Sequence, residues 1–256
     1  RHTQNAMRYI SKGKGAYSIV HGERLYMEEG DYLITPGGLW HGHAHPGNEP
    51  MFWLDVLDIP FMYGIDATFF EPYPENIQQP ELPDNYSPRR YMGGWVRPIS
   101  DRTEKIAPLG LYRWKQTEAA LDGLSEFGPD PFDGIAVEYV NPSNGKPAHP
   151  TIAAWMQKLP AGYSGSAHRH MHSVIYHVFR GSGYSVINGI RFDWSQGDLF
   201  VLPPWAWHEH HNPTSEDALL FSASDLPIME KLGLNREEAL ESGQQQINGE
   251  FEPIRP

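Results

Sequence analysis

The stretch RHMHSVIYHVFRGSGYSVINGIRFDWSQGDLFVLPPWAWHEH, residues 169–210, returns in altered form at the start of the chain. There, residues 1–43 read RHTQNAMRYISKGKGAYSIVHGERLYMEEGDYLITPGGLWHGH. With one residue dropped between the second and third glycines, the two stretches share these anchors: His2/His170, Gly13/Gly181, Gly15/Gly183, Gly22/Gly189, Gly30-Asp31/Gly197-Asp198, Pro36/Pro203 and Trp40-His41/Trp207-His208. Chance is a poor explanation for so many matches in one register, so the chain contains a two-copy repeat and both copies should share a fold.

Each copy is predicted to consist of short β-strands. Segments rich in β-branched and aromatic residues are separated by Gly: AYSIV, LYMEEGDYLIT and MFWLDVLDI in the first copy, and VIYHVF, YSVI, IRFDW and DLFVL in the second. The Gly-Asp pairs are typical of tight turns. This pattern indicates an all-β sandwich or barrel. Helices are predicted only at 117–124, with Thr117 as candidate N-cap, and at 227–234.

Composition restricts the chemistry and the partners. The 256 residues include 13 His and no Cys, which excludes disulfides, a Cys nucleophile and Cys-ligated metal sites, so imidazole and oxygen must hold any metal. A net charge of -12 argues against nucleic acid or an anionic membrane as partner. No apolar stretch approaches the ~20 residues of a membrane helix, so we expect a soluble, cytoplasmic protein.

The histidines are clustered, with three in 41–45, four in 168–177 and three in 208–211. Clustering of this kind is typical of a metal site or a pH-sensitive interface. Residues i and i+2 on a strand point to the same face, so His168 and His170 can reach one ion. In a closed barrel His208, from a later strand, can complete the set.

The pattern His-x-His, a Gly about eleven residues on, then Gly-Asp, Pro and His resembles the signature of the cupin superfamily in both copies. More specifically, the chain resembles the bicupin family of gentisate 1,2-dioxygenase with its salicylate and hydroxynaphthoate relatives. The segments that carry this resemblance are RHTQNAMRYI, GDYLITPGGLWHGH, WLDVLDIP and FFEPYP in the first half, and PTIAAWMQKLP, HRHMHSVIYHVFRGSG, FDWSQGD and WAWHEH in the second. The resemblance extends from Arg1 to about Leu234.

The resemblance implies an all-β bicupin with two double-stranded β-helix (jelly-roll) barrels. Residues 1–58 would form the remainder of the N-terminal barrel, without its N-terminal strands, and 151–225 the C-terminal barrel. Between them, 59–150 is expected to be an extended connector with a short helix, rich in aromatics and in prolines that no regular element should contain: Pro72, Pro74, Pro80, Pro83, Pro88 and Pro98. Residues 226–256 would be a C-terminal helix and a polar, peripheral tail.

Family membership also implies a metal, Fe(2+), and its ligands: His2 and His41 in the first barrel, and His168, His170 and His208 in the second. Since the family's first copy begins His-Arg-His, the resemblance implies a further His directly before Arg1. Many cupins add a Glu four residues after the second His, where this chain has Ala6 and Val174. Three neutral imidazoles would leave open positions for an anionic bidentate ligand and dioxygen.

By the same resemblance, Arg8 matches the residue that pairs with the substrate carboxylate, and His43 a residue that contacts substrate and helps to move a proton. Tyr176 stands in the place of Arg8 in the second copy, whereas His210 keeps the place of His43. Ring cleavage is therefore expected in the first barrel, with a small aromatic ortho-hydroxy acid and O2 as partners. The implied reaction converts gentisate to maleylpyruvate, in aromatic catabolism, by a homotetramer.

Alternatives stay open at this point. The substrate could be salicylate or 1-hydroxy-2-naphthoate, and the chain could instead be a non-catalytic bicupin for binding or storage, or a zinc-dependent isomerase. The second histidine set could be packed barrel residues without metal. Arg8 could be a surface ion-pair partner, and His43 a rim residue. The histidines left without a ligand role are expected beside the site, at the surface or in loops: His21, His45, His149, His172, His177 and His211.

Overall fold

The computed structural model describes residues 1–75, 77–101 and 108–252. Its contacts divide the chain into two compact units, each assembled from two segments. The first unit comprises Arg1–Glu118 and Tyr139–Ile152, and the second comprises Ala119–Glu138 and Ala153–Pro256. Strands dominate both units, which confirms the prediction of a mostly β fold.

In the first unit, strands form two sheets. Their bounds in chain order are β1 Ala6–Lys12, β2 Lys14–Val20, β3 Glu23–Glu28, β4 Tyr32–Thr35, β5 His41–Ala44, β6 Phe52–Leu57 and β7 Leu111–Tyr112. One sheet has the order β6-β1-β4-β7 and the other the order β3-β2-β5. Buried side chains of both sheets form one core cluster: Ile10, Ala16, Val20, Leu25, Met27, Leu33 and Leu111. Each large apolar side chain removed from water in this way stabilises the fold by about 1.5–3 kcal/mol.

The second unit also has two sheets. Its strands are β8 Ile135–Glu138, β9 Ala153–Leu159, β10 His168–His170, β11 Val174–Arg180, β12 Ser182–Ile187, β13 Ile190–Ser195, β14 Leu199–Leu202, β15 His208–His211, β16 Ala218–Ser224, β17 Glu237–Ala239 and β18 Gly249–Glu250. The sheet orders are β14-β11-β16-β9-β8 and β17-β10-β15-β12-β13-β18.

The repeat read from the sequence recurs in the backbone. His21-Gly22 and Asn188-Gly189 turn the chain between β2 and β3 and between β12 and β13, with φ angles of 47° and 78° in one copy and 48° and 79° in the other. Two successive left-handed residues are what a tight hairpin turn requires. The N–H groups of His21 and Asn188 donate to Trp40 and Trp207, respectively, at 2.9 Å in both copies. His21 is thus a turn residue.

The two copies differ at one sheet edge. Strand β16 pairs with both β11 and β9 and is buried throughout, whereas β6 pairs with β1 and, among the described residues, with no second strand. As a result Phe52 on β6 is 57% exposed. The first unit therefore lacks, within the described ranges, the counterpart of β9.

The described residues include four helices, at α1 Ile59–Gly64, α2 Tyr86–Arg90, α3 Trp114–Ser125 and α4 Leu226–Lys231, with 3-10 turns at Met92–Gly94 and Ile99–Asp101. The prediction that Thr117 caps a helix is wrong, because α3 already begins at Trp114. The N–H of Trp114 donates to Asp31 Oδ1 at 3.0 Å, so a carboxylate distant in sequence satisfies the helix start. The hydroxyl of Thr117 donates instead to the carbonyl of Arg113.

Three further expectations about the segments outside the copies are corrected. Pro88 lies within the first turn of α2, where a missing N–H costs no helical hydrogen bond. Residues of the expected connector also supply β7 and β8 to the sheets of the two units. The tail after Asn235 is not peripheral, because β17 pairs with β10 and β18 with β13. No helix among the described residues has the length and apolar character needed to span a bilayer.

Candidate metal and substrate site

Three histidines converge in the second unit. His168 and His170 flank one residue on β10, and His168 lies opposite His208 of β15 in the sheet register. A ligand nitrogen from each lies within 4.8 Å of the other two. The ring centroids are 4.1 Å apart for His168 and His208 and 4.7 Å apart for His170 and His208. The sequence-predicted set is therefore brought together by two neighbouring strands.

Backbone carbonyls fix the tautomer of two of these rings. His170 Nδ1 lies 2.9 Å from the carbonyl oxygen of His172, and His208 Nδ1 lies 3.1 Å from that of Ala206. Since a carbonyl only accepts, each Nδ1 carries the proton and each Nε2 keeps its lone pair. His208 Nε2 is buried without a hydrogen-bond partner. A buried lone pair in this position fits a metal ligand.

The first unit repeats this arrangement with two histidines. His2 Nδ1 donates to the carbonyl of Gln4 at 3.1 Å and His41 Nδ1 to that of Leu39 at 2.9 Å. Their ring centroids are 4.7 Å apart, the same separation as for His170 and His208. The two predicted ligands of the first barrel thus have the orientation of their counterparts.

Burial keeps these imidazoles neutral. It lowers the pKa of His168 and of His170 from 6.5 to about 4, and it also lowers the pKa of His208 well below the ordinary value. In the first unit burial also lowers the pKa of His2 and His41. Neutral imidazole is the form that binds a metal, so these rings need not lose a proton first near pH 7.

The donors are all imidazole nitrogens, which suit iron, zinc, copper and nickel better than magnesium or calcium. No carboxylate belongs to the group of close ligand atoms found among the described residues. Three neutral donors leave the charge of a divalent ion uncompensated. Such a site favours an anionic oxygen ligand from a substrate.

Arg8 and His43 lie near the two histidines of the first unit. Arg8 is buried and grips Asp55 through two hydrogen bonds, Nε to Oδ1 at 2.6 Å and Nη2 to Oδ2 at 2.7 Å. Its guanidinium carbon stands 4.4 Å from the ring centre of Trp53. Arg8 is therefore an ion-pair partner, as one alternative held, but its own side chain is only 8% exposed whereas that of Asp55 is 39% exposed.

His43 is joined to Arg8 through one hydroxyl. Ser18 Oγ lies 2.8 Å from His43 Nδ1 and 3.5 Å from Arg8 Nη1. His43 occupies an exposed position of β5, and partial desolvation together with the nearby Arg8 charge lowers its pKa from 6.5 to about 4. Because Nδ1 is engaged by Ser18, Nε2 is the ring nitrogen left to contact a ligand.

In the second unit the same positions carry different chemistry. Ser185 Oγ lies 2.7 Å from His210 Nδ1, so the serine–histidine pair is kept. Arg8 lies opposite Asp55 in the sheet of the first unit, whereas the equivalent pair in the second unit is Tyr176 opposite Ser222, and neither of these residues is charged. The Tyr176 ring stands 4.8 Å from that of His210. The second unit therefore lacks, at this position, the cation that an aromatic carboxylate would need.

A cavity of about 310 Å³ in the second unit is lined by two of the three converging histidines, His168 and His170, and by His172. Its lining includes the carboxyl groups of Asp133, Glu138 and Glu237 beside Trp155 and Phe132. Burial, together with nearby Asp130 and Glu237, raises the pKa of Asp133 to about 6. An acidic lining disfavours an anionic substrate here.

The remaining histidines divide into buried and exposed ones. His21 and His45 are exposed, whereas the other four expected beside the site, at the surface or in loops are buried: His149, His172, His177 and His211. The ring of His172 stacks on His170 at 3.5 Å, and its Nδ1 is 2.8 Å from Ser224 Oγ.

Sequence reasoning missed Asp55, Ser18 and Ser185. The two serines could have been found, because they occupy equivalent strand positions in the two copies. Asp55 is 47 residues from Arg8 and has no acidic counterpart, so only the strand pairing reveals it.

Comparison with known proteins agrees with this geometry. The family model described as Cupin domain matches residues 1–57 and 155–224. The chain is 43% identical to 5-aminosalicylate 1,2-dioxygenase of Comamonas sp, with 98% of this chain and 68% of the relative covered. It is 36% identical to gentisate 1,2-dioxygenase 1 of Aquipseudomonas alcaligenes, with coverages of 93% and 68%.

Among solved structures, salicylate 1,2-dioxygenase of Pseudoaminobacter salicylatoxidans with gentisate matches with a TM-score of 0.87 and 34% identity. This match covers 94% of this chain and 68% of that one. Repeated cupin matches, clustered buried imidazoles and these similarities lead to one conclusion. The chain belongs to the family of ring-cleaving dioxygenases of the gentisate and salicylate type.

Proposed function

We propose that this protein uses O2 and iron(II) to cleave the ring of gentisate to maleylpyruvate, as a step in the catabolism of aromatic compounds. The observation that carries the proposal is the asymmetry between the units. Both orient imidazoles with free Nε2 atoms, but the first alone adds a buried arginine, Arg8, beside the serine-held His43. A ring-cleaving site for an anionic aromatic acid needs both features, and the first unit supplies them together.

The ligands we propose are His2 and His41 in the first unit, and His168, His170 and His208 in the second. Bound iron(II) would supply electrons to dioxygen and bind the carboxylate and phenolate oxygens of the substrate, chemistry that zinc cannot provide because it has no redox activity. The carbonyl-held Nδ1 atoms of His2 and His41 keep each ring from turning away from the site.

In the first unit, the Arg8 guanidinium, whose Nε and Nη2 are paired with Asp55, would offer its Nη1 N–H groups to the substrate carboxylate. Asp55 and Trp53 hold the guanidinium in one plane, so its Nη1 edge is presented toward Ser18 and His43. His43, neutral near pH 7, contacts the substrate through Nε2 and helps to move a proton there. Ser18 fixes the direction in which this ring points.

The chain organisation we propose is a bicupin. Residues 1–58 belong to the first barrel and 151–225 to the second. Residues 59–150 connect them and also supply β7 and β8, and 226–256 form a C-terminal helix and a tail that adds β17 and β18. We further propose a homotetramer located in the cytoplasm.

A second candidate substrate is salicylate, since the structural relative bears that name, and 1-hydroxy-2-naphthoate is a third because a relative at 37% identity is named for it. All three are aromatic ortho-hydroxy acids, and each presents a carboxylate for Arg8 to bind. The residues that contact the rest of the ring must distinguish them.

Oxygen uptake by iron-loaded protein tests the proposal. Gentisate, salicylate and 1-hydroxy-2-naphthoate are supplied in turn, and the product is identified by its ultraviolet spectrum and mass. We expect gentisate to give the highest kcat/KM and zinc-loaded protein to be inactive. Uptake with none of these acids would refute the dioxygenase proposal and favour a binding or storage protein.

Matched variants locate the reaction in one unit. Arg8→Gln removes the charge, and we expect kcat/KM to fall about 100-fold, the effect of roughly two charge-assisted hydrogen bonds. Tyr176→Phe, the equivalent position in the second unit, should change kcat/KM by less than about twofold. His41→Ala should abolish uptake, whereas His208→Ala should leave most of it. The opposite pattern would place ring cleavage in the second unit.

A further inference from the structure

Arg169 separates two of the proposed ligands, His168 and His170, and its side chain is held on several sides. Nε and Nη2 of Arg169 both donate to Glu238 Oε2, at 3.0 and 2.6 Å. The guanidinium carbon stands 4.3 Å from the ring centre of Trp205 and 4.4 Å from that of Trp207. Two aromatic faces and one carboxylate therefore fix this side chain.

The carboxylate comes from the strand beside β10. In the register of β10 and β17, Arg169 lies opposite Glu238, His168 opposite Ala239 and His170 opposite Glu237. Strand β10 is only three residues long, and its other neighbour is β15, which carries His208. The histidine strand is thus held between the third ligand on one side and Glu238 on the other.

The same contacts recur in the first unit. Arg1 lies directly before His2, and its Nη2 and Nε approach Glu71 Oε2 at 2.7 and 2.8 Å. Its guanidinium carbon stands 4.5 Å from the ring centre of Trp40. The N–H of Glu71 donates to the carbonyl of Arg1 at 2.9 Å. Arginine, glutamate and tryptophan therefore meet in both copies.

Glu71 and Glu238 each end a segment that follows the last repeated strand, and these two segments are also similar in sequence. Residues 58–71 read DIPFMYGIDATFFE and 225–238 read DLPIMEKLGLNREE, with Asp, Pro, Met and Glu at matching positions. We call these two segments, 58–71 and 225–238, the arms. The aspartate that begins each arm accepts a hydrogen bond from a backbone N–H a few residues after the ligand histidine: Asn5 donates to Asp58 at 3.0 Å and Ser173 to Asp225 at 2.7 Å. Each arm is thus anchored at both ends to the segment around the histidines.

The contact between Arg169 and Glu238 controls the orientation of strand β10. On a strand, Arg169 points to the face opposite His168 and His170, so holding the guanidinium fixes the rotation of the strand about its axis. That rotation sets the direction of both imidazoles at once. Most of the intervening arm sequence differs between the copies, while the glutamate that reaches the arginine is kept.

We propose that Glu238, acting through Arg169, is a positioning residue for the metal-binding histidines of the second unit, and that Glu71, acting through Arg1, has this role in the first. The inference rests on the proposed metal sites. It predicts that loss of the carboxylate weakens metal binding although no ligand is changed, as contacts behind metal ligands commonly do.

A cobalt(II) titration of Glu238→Gln, followed by visible absorption, tests this in a His41→Ala background that restricts binding to the second unit. We expect the dissociation constant to rise about tenfold, with an altered visible spectrum of the bound cobalt. Arg169→Lys keeps the charge but not the two-pronged contact, and should behave like Glu238→Gln. The matched control is Asp193→Asn, since Asp193 pairs with Arg191 at 2.7 Å in the same sheet, on a strand without proposed ligands.

Hydrogen exchange of the metal-free proteins separates this inference from the metal proposal. Faster amide exchange at 168–170 in Glu238→Gln than in Asp193→Asn supports the positioning role. A cobalt dissociation constant within twofold of the parent overturns it. If the parent takes up no cobalt, the proposed metal site of the second unit is wrong. Amide exchange at 168–170 then tests the positioning role by itself, and equal exchange rates in the two variants overturn that role as well.

Discussion

His149 is completely buried in the first unit, and its replacement by glutamine should change how stability depends on pH. Its Nε2 donates to the carbonyl of Ala6, the first residue of the strand that carries Arg8, at 2.8 Å. Its Nδ1 is buried without a hydrogen-bond partner. Protonation at Nδ1 would therefore place an unsolvated charge in the core.

The size of the effect follows from the pKa. Burial lowers the pKa of His149 from 6.5 to about 4. Because each tenfold change in proton affinity corresponds to about 1.4 kcal/mol, about 3 kcal/mol of stability depends on this ring remaining neutral. The unfolded chain binds the proton more readily, so the contribution is fully present above pH 6.5 and is lost as the pH falls toward 4. Between pH 7 and 5 the loss amounts to about 2 kcal/mol.

The free energy of unfolding of the first unit is measured by urea titration of the metal-free protein at pH 7 and pH 5. Unfolding is followed by amide hydrogen exchange of peptides from that unit. Other buried histidines titrate in both proteins, so the quantity of interest is a difference between parent and His149→Gln. We expect the stability advantage of the parent over the variant to shrink by about 2 kcal/mol between the two pH values. An advantage that is the same at pH 5 as at pH 7 would show that His149 binds its proton equally in the folded and unfolded states.

Three other substitutions test features of the fold. Asp58→Ala removes the acceptor of the buried Asn5 backbone N–H and of the Thr151 hydroxyl, and should cost about 3 kcal/mol of unfolding free energy in urea; a loss below about 1 kcal/mol contradicts this. Gly37→Ala brings a Cβ to 2.1 Å from the carbonyl oxygen of Thr3, beside His2, so we expect a lower melting temperature and weaker cobalt binding by the first unit in a His208→Ala background. Gly123→Ala meets nothing within 4 Å in α3 and should stabilise by about 0.5–1 kcal/mol, unlike the other two.

Features that depend on local pattern were accessible from the sequence. Alternation along strands placed His168 and His170 on one face, and the expectation of a closed barrel brought His208 beside them. Gly30-Asp31 and Gly197-Asp198 form the expected turns, with Asp31 and Asp198 accepting the N–H groups of Glu28 and Ser195. A pattern that occurs at equivalent positions in both copies, such as these Gly-Asp turns, supports a stronger prediction than one that occurs once.

Features that depend on contacts between distant segments were not accessible. The start of α3 is set by Asp31, a residue that also closes the turn between β3 and β4, so no local signal favoured Trp114 over Thr117. The partner of Arg8 comes from another strand, and the arm ending at Glu238 shares only scattered positions with its counterpart. In each case the deciding hydrogen bond joins residues that no short window of sequence contains.

The carbonyl contacts of His2, His41, His170 and His208 also determine how the metal-free molecule would look by nuclear magnetic resonance. Since the proton of each ring is confined to Nδ1, that nitrogen should resonate as a pyrrole-type nitrogen and Nε2 as a pyridine-type one, without the averaging that a freely exchanging imidazole gives. Nitrogen-15 labelling of histidine would thus resolve both units in one spectrum, and stepwise addition of a diamagnetic ion such as zinc would reveal which unit fills first.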